Sequence, residues 1–380
     1  MNRRSVTIAA AAAIVLSLTS FAAVRGQAPS VEVLSPRPPM AEEVFKNIQV
    51  LKGIPVDQFL GAMGIIAAAT ARGCSECHRQ DGPADWTRYA DDTPMKQVTR
   101  QMLLMTQDIN RTHFGGRQVI TCYSCHRGMH RPKATPSLVA LYSAPPDEPD
   151  DIVDPAPGAP PADQIFDTYL AAIGGAVRIA ALTSFTGRGT YQAYDEDAVP
   201  LEVYARAPNQ RLWVWHTSFG DYAMGYNGRE GWIAASQAER PVPVEFLMGQ
   251  ELDGRRLEAE LTFPTRITQA LTAVRVGVPV SINDRDVQVV QGTTAGGTLV
   301  TLYFDMETGL LIRLMRYTDS PVGRIVTQYD YEDYRPVGGV RIPFKWTRTW
   351  LDGRSVFQLT EVQPNVTIPP ARFARPAQQP

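Results

Sequence analysis

Four cysteines occur in this 380-residue chain, and all four fall into two copies of one spacing. "GCSECHR" sets Cys74 and Cys77 three apart with His78 next, and "TCYSCHRG" repeats the pattern with Cys122, Cys125 and His126. Two thiols at that separation reach both vinyl groups on one edge of a haem, and the adjoining histidine swings beneath the iron. One copy would also suit a redox dithiol or half of a zinc site. Two copies that consume every cysteine favour two covalently attached haem c groups. A zinc held by all four thiols leaves both histidines without a role. The expected cofactor-binding residues are Cys74, Cys77, His78, Cys122, Cys125 and His126, with His78 and His126 on the irons.

The sixth ligands are sought in the elements upstream. "PVDQFLGAMGIIAAATARGC" predicts a helix starting at Asp57, after Pro55, and ending near Gly73. Gly61, Ala62, Gly64 and the run Ala67 to Ala69 give it a flat face on which a macrocycle is expected to lie. Met63, the one thioether in it, precedes Cys74 by eleven residues, roughly 16 Å along a helix. Before the second motif, "DDTPMKQVTRQMLLMTQDINRTHF" starts a helix at Asp92 or Thr93. Its apolar positions Val98, Met102, Met105 and Ile109 share one face. Met102 and Met105 are both candidates for the second iron, and spacing does not separate them. His113 is a third candidate, His130 is read as a surface residue or a propionate partner, and Met95 is set aside in the first turn.

Residues 40 to 135 resemble the cytochrome c subunit family of photosynthetic reaction centres. The resemblance rests on "KNIQVLKGIPVDQFLGAMGIIAAATARGCSECH" and "QMLLMTQDIN...VITCYSCHRG", in which helix, methionine and haem motif recur together. It implies Met63 as the distal ligand opposite His78, and Met102, then Met105, opposite His126. The chain departs from the family in carrying two haem motifs rather than four and in lacking a lipidated cysteine.

Composition narrows the remaining classes. The chain is 44% hydrophobic and 20% charged with a net charge of −2, or −5 once Arg3, Arg4 and Arg25 leave with a leader. That balance excludes a nucleic-acid binder, which needs a basic face. "MNRRS" followed by the apolar run Val6 to Val24 predicts a signal peptide over 1–26, with an uncleaved membrane anchor as the alternative. Either places the body of the protein outside the cytoplasm, in the periplasm. Residues 136–161 read as a proline-rich acidic linker.

From 162 to 375 the pattern becomes mainly period two. "ADQIFDTYLAAIGGAVRIAAL" reads as a helix broken at Gly174 and Gly175. Segments such as "LEVYARA", "RLWVWHT" and "RIPFKWTRTWL" then alternate as strands, with short helices expected in "PVPVEFLMGQELDGRRLEAEL" and "PTRITQALTA". "YNGREGWIA", "YFDMETGLLIRL" and "YDYEDYRPVGGVRIPFKWT" resemble the outer-membrane lipoprotein carrier fold, which implies a curved antiparallel half-barrel with a covering helix. Lipid on its concave side is then an option, with Trp213, Trp232, Phe304 and Trp346 as lining candidates and ordinary core as the plainer reading. His216, with no carboxylate or cysteine beside it in sequence, is read as structural.

The expected architecture is thus two domains, a mostly α multihaem cytochrome c domain over 40–135 and an α+β half-barrel over 162–375. The expected function is non-enzymatic electron transfer between membrane-bound or soluble redox proteins of the periplasm, photosynthetic or respiratory. The alternatives are a peroxidase-like haem enzyme with one open iron, and an envelope lipid or lipoprotein binder carrying a haem module.

Overall fold

The computed structural model describes residues 37–79, 82, 85–143, 152–351 and 353–377. The leader region therefore lies outside the described residues, as does the acidic centre of the linker. Helices come first: α1 (Ala41–Val44), α2 (Val56–Thr70), α3 (Cys74–Cys77), α4 (Pro94–His113), α5 (Cys122–His126), α6 (Leu138–Tyr142), α7 (Ala162–Ala172) and α8 (Ala176–Ala181). Strands β1 (Ser184–Gln192), β2 (Val199–Arg206), β3 (Gln210–Thr217), β4 (Gly220–Tyr226), β5 (Gly231–Ala234) and β6 (Val244–Leu247) follow. After α9 (Gly249–Glu260) and α10 (Ile267–Ala270) the chain returns to strands: β7 (Thr272–Val276), β8 (Val280–Ile282), β9 (Arg285–Thr293), β10 (Leu299–Asp305) and β11 (Leu311–Ser320). The last are β12 (Gly323–Val337), β13 (Val340–Trp350) and β14 (Gly353–Pro364).

Among the described residues fourteen strands form one antiparallel sheet in the order β6-β5-β4-β3-β2-β1-β14-β13-β12-β11-β10-β9-β7, with β8 paired to β9. Two meanders are joined where the first strand pairs with the last. Alternation does the folding work in β2 and β13. Leu201, Val203 and Ala205 face inward, as do Val340, Ile342, Phe344 and Trp346, while their neighbours are more exposed,. In β9 to β11 both faces are buried, because Val289, Tyr303, Met315 and Tyr317 pack with Val153 on the outer side. The glycine break holds: α7 and α8 meet at Gly174, where an added Cβ would lie 2.5 Å from the Gly339 carbonyl oxygen.

The concave side is filled. Phe166 and Tyr169 of α7, Ile173 at its C-cap, Leu257 of α9 and Ile267 of α10 pack against Trp213, Phe304, Trp346 and Phe357. Between them lies a cavity of about 90 Å³ lined by Tyr169, Arg211, Trp213, Tyr331, Tyr334 and Trp346, among others. Sites for drug-sized ligands run to roughly 300–1,000 Å³. Of the four aromatic candidates, Trp213 and Trp346 line it and Phe304 packs on Phe166 and Tyr169. Trp232 instead packs with Leu212, Val214, Ile368 and Phe373 in a separate cluster.

Helix α9 carries a buried ionic cluster rather than an apolar stripe. Glu258 accepts bonds from Arg211 Nη2 (2.6 Å), Arg316 Nε (2.8 Å), Arg255 Nη1 (3.0 Å) and the Tyr329 hydroxyl (3.1 Å). Glu251 binds Arg316 Nη2 at 3.0 Å and the Thr318 hydroxyl at 3.1 Å. Burial pushes the Glu258 carboxyl up, but Arg255, Arg316 and Arg211 outweigh it and hold the group well below the usual carboxylate range. Gly254 is required where Arg316 crosses α9, since a Cβ there would meet its Cδ at 2.7 Å.

Helix α2 docks on this sheet, and its small residues serve that contact. A Cβ at Gly61 would lie 2.7 Å from Ile325 Cδ1, and one at Gly64 would lie 3.0 Å from Trp350 Cη2. The Gly61 and Gly64 positions thus admit strand side chains rather than a macrocycle, which corrects the flat-face expectation at those two positions. Ala62, Ile65 and Leu51 share a cluster with Leu103, Val322 and Ile325. Asp57 is not the cap of α2, whose N-cap is Pro55. It is buried and accepts the Met248 N–H at 2.7 Å.

Burial, with Glu245 and Glu251 nearby, pushes the Asp57 carboxyl up to about 7 despite the Met248 bond. Below about pH 4 the carboxyl is protonated folded or unfolded, and above about pH 7 it must ionise in its buried site. Its contribution to stability is therefore lost as pH rises from about 4 to 7, by roughly 4 kcal/mol at most. Denaturant melts of wild type and Asp57→Asn across this range should differ by an amount that changes over this window and is constant above it. A pH-independent difference would remove Asp57 as the titrating group.

Candidate haem-binding site

The first motif is one helical turn, so Cys74 and Cys77 project from the same side at i and i+3,. Glu76 closes the turn by accepting the Gly73 N–H at 3.0 Å and pairing with Arg72 at 2.7 Å. His78 Nδ1 lies 3.1 Å from the Tyr89 carbonyl oxygen, and its ring stacks on Tyr89 with centroids 4.6 Å apart. Tyr89 meets Trp86 edge-on at 4.9 Å, and Trp86 Nε1 donates to the Gln237 carbonyl at 2.6 Å. Thr93 caps α4 by accepting the Lys96 N–H, while its own hydroxyl donates to the Cys77 carbonyl at 2.9 Å. Burial pushes the His78 imidazole down and the Cys77 thiol up.

The second motif forms α5, capped by Thr121, whose hydroxyl accepts the Ser124 N–H at 3.3 Å. Arg127 and Gly128 have positive φ, which turns the chain so that Gly128 N–H donates to the Ala69 carbonyl at 2.9 Å. His126 Nδ1 lies 3.0 Å from the Met129 carbonyl oxygen. The segment entering the motif is held by Asn110, buried near the end of α4. Its Nδ2 donates to the Ile120 carbonyl at 2.7 Å, and its Oδ1 accepts the N–H groups of Val119 and Ile120 at 3.0 and 2.9 Å. Asn110→Ala leaves these backbone groups without that partner, so we expect a loss of about 2–3 kcal/mol in chemical denaturation. An unchanged midpoint would mean that water replaces the side chain at no cost.

The methionine candidates differ in setting. Met63 is partly buried on α2 against the cluster shared with the sheet, which also includes Cys122. On α4 the predicted apolar face is the open one: Val98 is 49% exposed, Met102 37% and Met105 42%, while Leu103 and Asn110 turn inward. Val119 and Tyr123 add exposed apolar surface near the second motif. All four cysteines are free thiols. Among the described residues no three His, Cys, Asp or Glu side chains converge as a metal site, so the four thiols do not gather around one ion.

Residues 14–141 match the family described as the photosynthetic reaction centre cytochrome C subunit. This stretch carries the family's pattern. The chain is 38% identical over 99 residues to the reaction center cytochrome c subunit of Rubrivivax gelatinosus, covering 25% of each chain. It is 36% identical over 100 residues to that of Thermochromatium tepidum, covering 25% of this chain and 23% of the relative. The chain thus spans about a quarter of the length of the curated relatives it matches. Among solved structures, a LolA superfamily protein from Nitrosomonas europaea matches 57% of this chain and 99% of its own, with 17% identity and a TM-score of 0.37. A DUF1329 family protein from Desulfovibrio piger covers 57% and 98%, with 11% identity and a TM-score of 0.38.

The residues present fit the covalent haem that the reaction-centre cytochrome family implies. In both motifs Nδ1 of the histidine faces a backbone carbonyl, which fixes the tautomer that leaves Nε2 free for iron,. Each thiol pair sits on its own helical turn, and an apolar, thioether-bearing face of α4 stands uncovered. His113 ends α4 exposed to solvent, and His130 Nδ1 lies 2.8 Å from the Thr70 carbonyl oxygen at the end of α2. His216 has a carboxylate partner after all: Asp221 Oδ1 lies 2.7 Å from its Nδ1 across the β3–β4 hairpin. Sequence reading missed Asn110, Tyr89 and Lys96, whose contacts to the motifs span nine residues or more or run through backbone carbonyls.

Proposed function

We propose that the chain is an exported dihaem c-type cytochrome that carries electrons between redox partners, soluble or membrane-bound. The observation that carries this reading is the paired geometry of the motifs, each with an aligned thiol pair and a histidine whose Nδ1 is bonded to backbone. Each haem, when bound, supplies a one-electron ferric/ferrous couple. Cys74 and Cys77, and separately Cys122 and Cys125, would anchor the two groups. His78 and His126 would present Nε2 to the irons, with Met63 as a further ligand of the first and Met102 or Met105 of the second. Iron held by a histidine and a methionine would suit electron transfer over substrate binding. Among the described residues no helix is long and apolar enough to cross a membrane.

An optical redox titration beside a pyridine haemochrome count tests the reading. The expected result is two low-spin haems per chain, neither binding carbon monoxide, with Met63→His lowering the potential of one of them. One high-spin haem that binds carbon monoxide would move the peroxidase-like reading to first place.

A further inference from the structure

Lys96 lies in the first turn of α4, half-buried, and among the described residues bonds no carboxylate directly. Its ammonium donates to two backbone carbonyls, Tyr89 O at 2.7 Å and Asp91 O at 2.8 Å. The neighbouring carboxylates are engaged elsewhere, Asp91 with Arg88 at 2.6 Å and Asp92 with Arg100 at 2.7 Å and Asn47 at 2.8 Å. Tyr89 O is also the oxygen that faces His78 Nδ1 at 3.1 Å. One carbonyl thus links a half-buried cation to the histidine of the first motif.

We propose that Lys96 is a positioning residue that raises the reduction potential of the first haem through the shared Tyr89 carbonyl. This rests on the dihaem reading. Two effects act with the same sign. A carbonyl whose lone pair is already drawn to an ammonium accepts less from the His78 Nδ1–H, so the imidazole stays a weaker donor to ferric iron. The positive charge, in a partly water-excluded setting, also disfavours the more positive oxidation state. At the second motif His126 Nδ1 faces Met129 O, outside the Lys96 contact, so that haem serves as an internal control.

The test uses the full chain matured with its haems and compares Lys96→Met, Lys96→Gln and Lys96→Arg by spectroelectrochemical titration. In Lys96→Met the reduced-to-oxidised ratio of one haem at fixed poise should fall about tenfold, 59 mV for a one-electron couple. The other haem should stay in place. Lys96→Gln keeps a neutral donor near Tyr89 O and should fall similarly, whereas Lys96→Arg should stay within about twofold of wild type. Wild-type behaviour in Lys96→Gln, no shift in Lys96→Met, or equal shifts of both haems would each overturn the proposal. The haemochrome count separates the two readings: two haems with unmoved potentials sink only the role of Lys96, whereas a chain without haem sinks both.

Discussion

A Cys122→Ser/Cys125→Ser double variant is expected to carry one covalent haem per chain instead of two, and Cys74→Ser/Cys77→Ser to do the same. Each motif is a self-contained turn with its own capping bonds and its own histidine–carbonyl contact, so losing one leaves the other competent. The second pair should also weaken folding more than the first. Cys122 packs against the cluster that joins α2 to the sheet, and the open face of α4 needs a cover. The pyridine haemochrome assay reads the count, and thermal melts read the stability. A wild-type chain that binds zinc through all four thiols and no haem would end the cytochrome reading.

Glu258→Gln is expected to destabilise the sheet region by about 3–5 kcal/mol, the scale for breaking a buried ion pair from one side. Three guanidinium groups converge on this carboxylate, and two of them, Arg255 and Arg316, have almost no exposure to water. Removing its charge leaves Arg316 with Glu251 and the Thr318 hydroxyl, and Arg255 with the Tyr329 hydroxyl. Denaturant unfolding followed by tryptophan fluorescence would report it, because Trp213 lies against Arg211 at 4.2 Å. A loss below about 1 kcal/mol would show that water or rearranged partners neutralise the arginines.

How much of this was readable from sequence depended on the range of the interactions. The haem motifs were legible because their chemistry is contained in five residues, and the start of α4 because Thr93 and Pro94 set a cap locally. The break between α7 and α8 was legible because two adjacent glycines end a helix without outside help. The role of Gly61 and Gly64 was not, since the side chains that approach them, Ile325 and Trp350, belong to strands more than 260 residues on. Helix α9 was expected as a short helix, but the arrival of Arg211 and Arg316 from β3 and β11, which explains how its charges are buried, was not legible. The partner of His216 was hidden for a smaller reason, a hairpin that folds Asp221 back across the turn.

The pairing of β1 with β14 has a consequence for the order in which the protein is assembled. A chain emerging from its N-terminus presents α2 and both thiol pairs early. Val322, Ile325 and Trp350, on which α2 settles, come near its end. Contacts of such long sequence separation form slowly. Cys122, which ends up against that cluster, therefore passes through an interval in which it is reachable and α2 has no seat. Until the last strands complete the sheet, Cys122 is more open than in the finished fold, where it is partly buried.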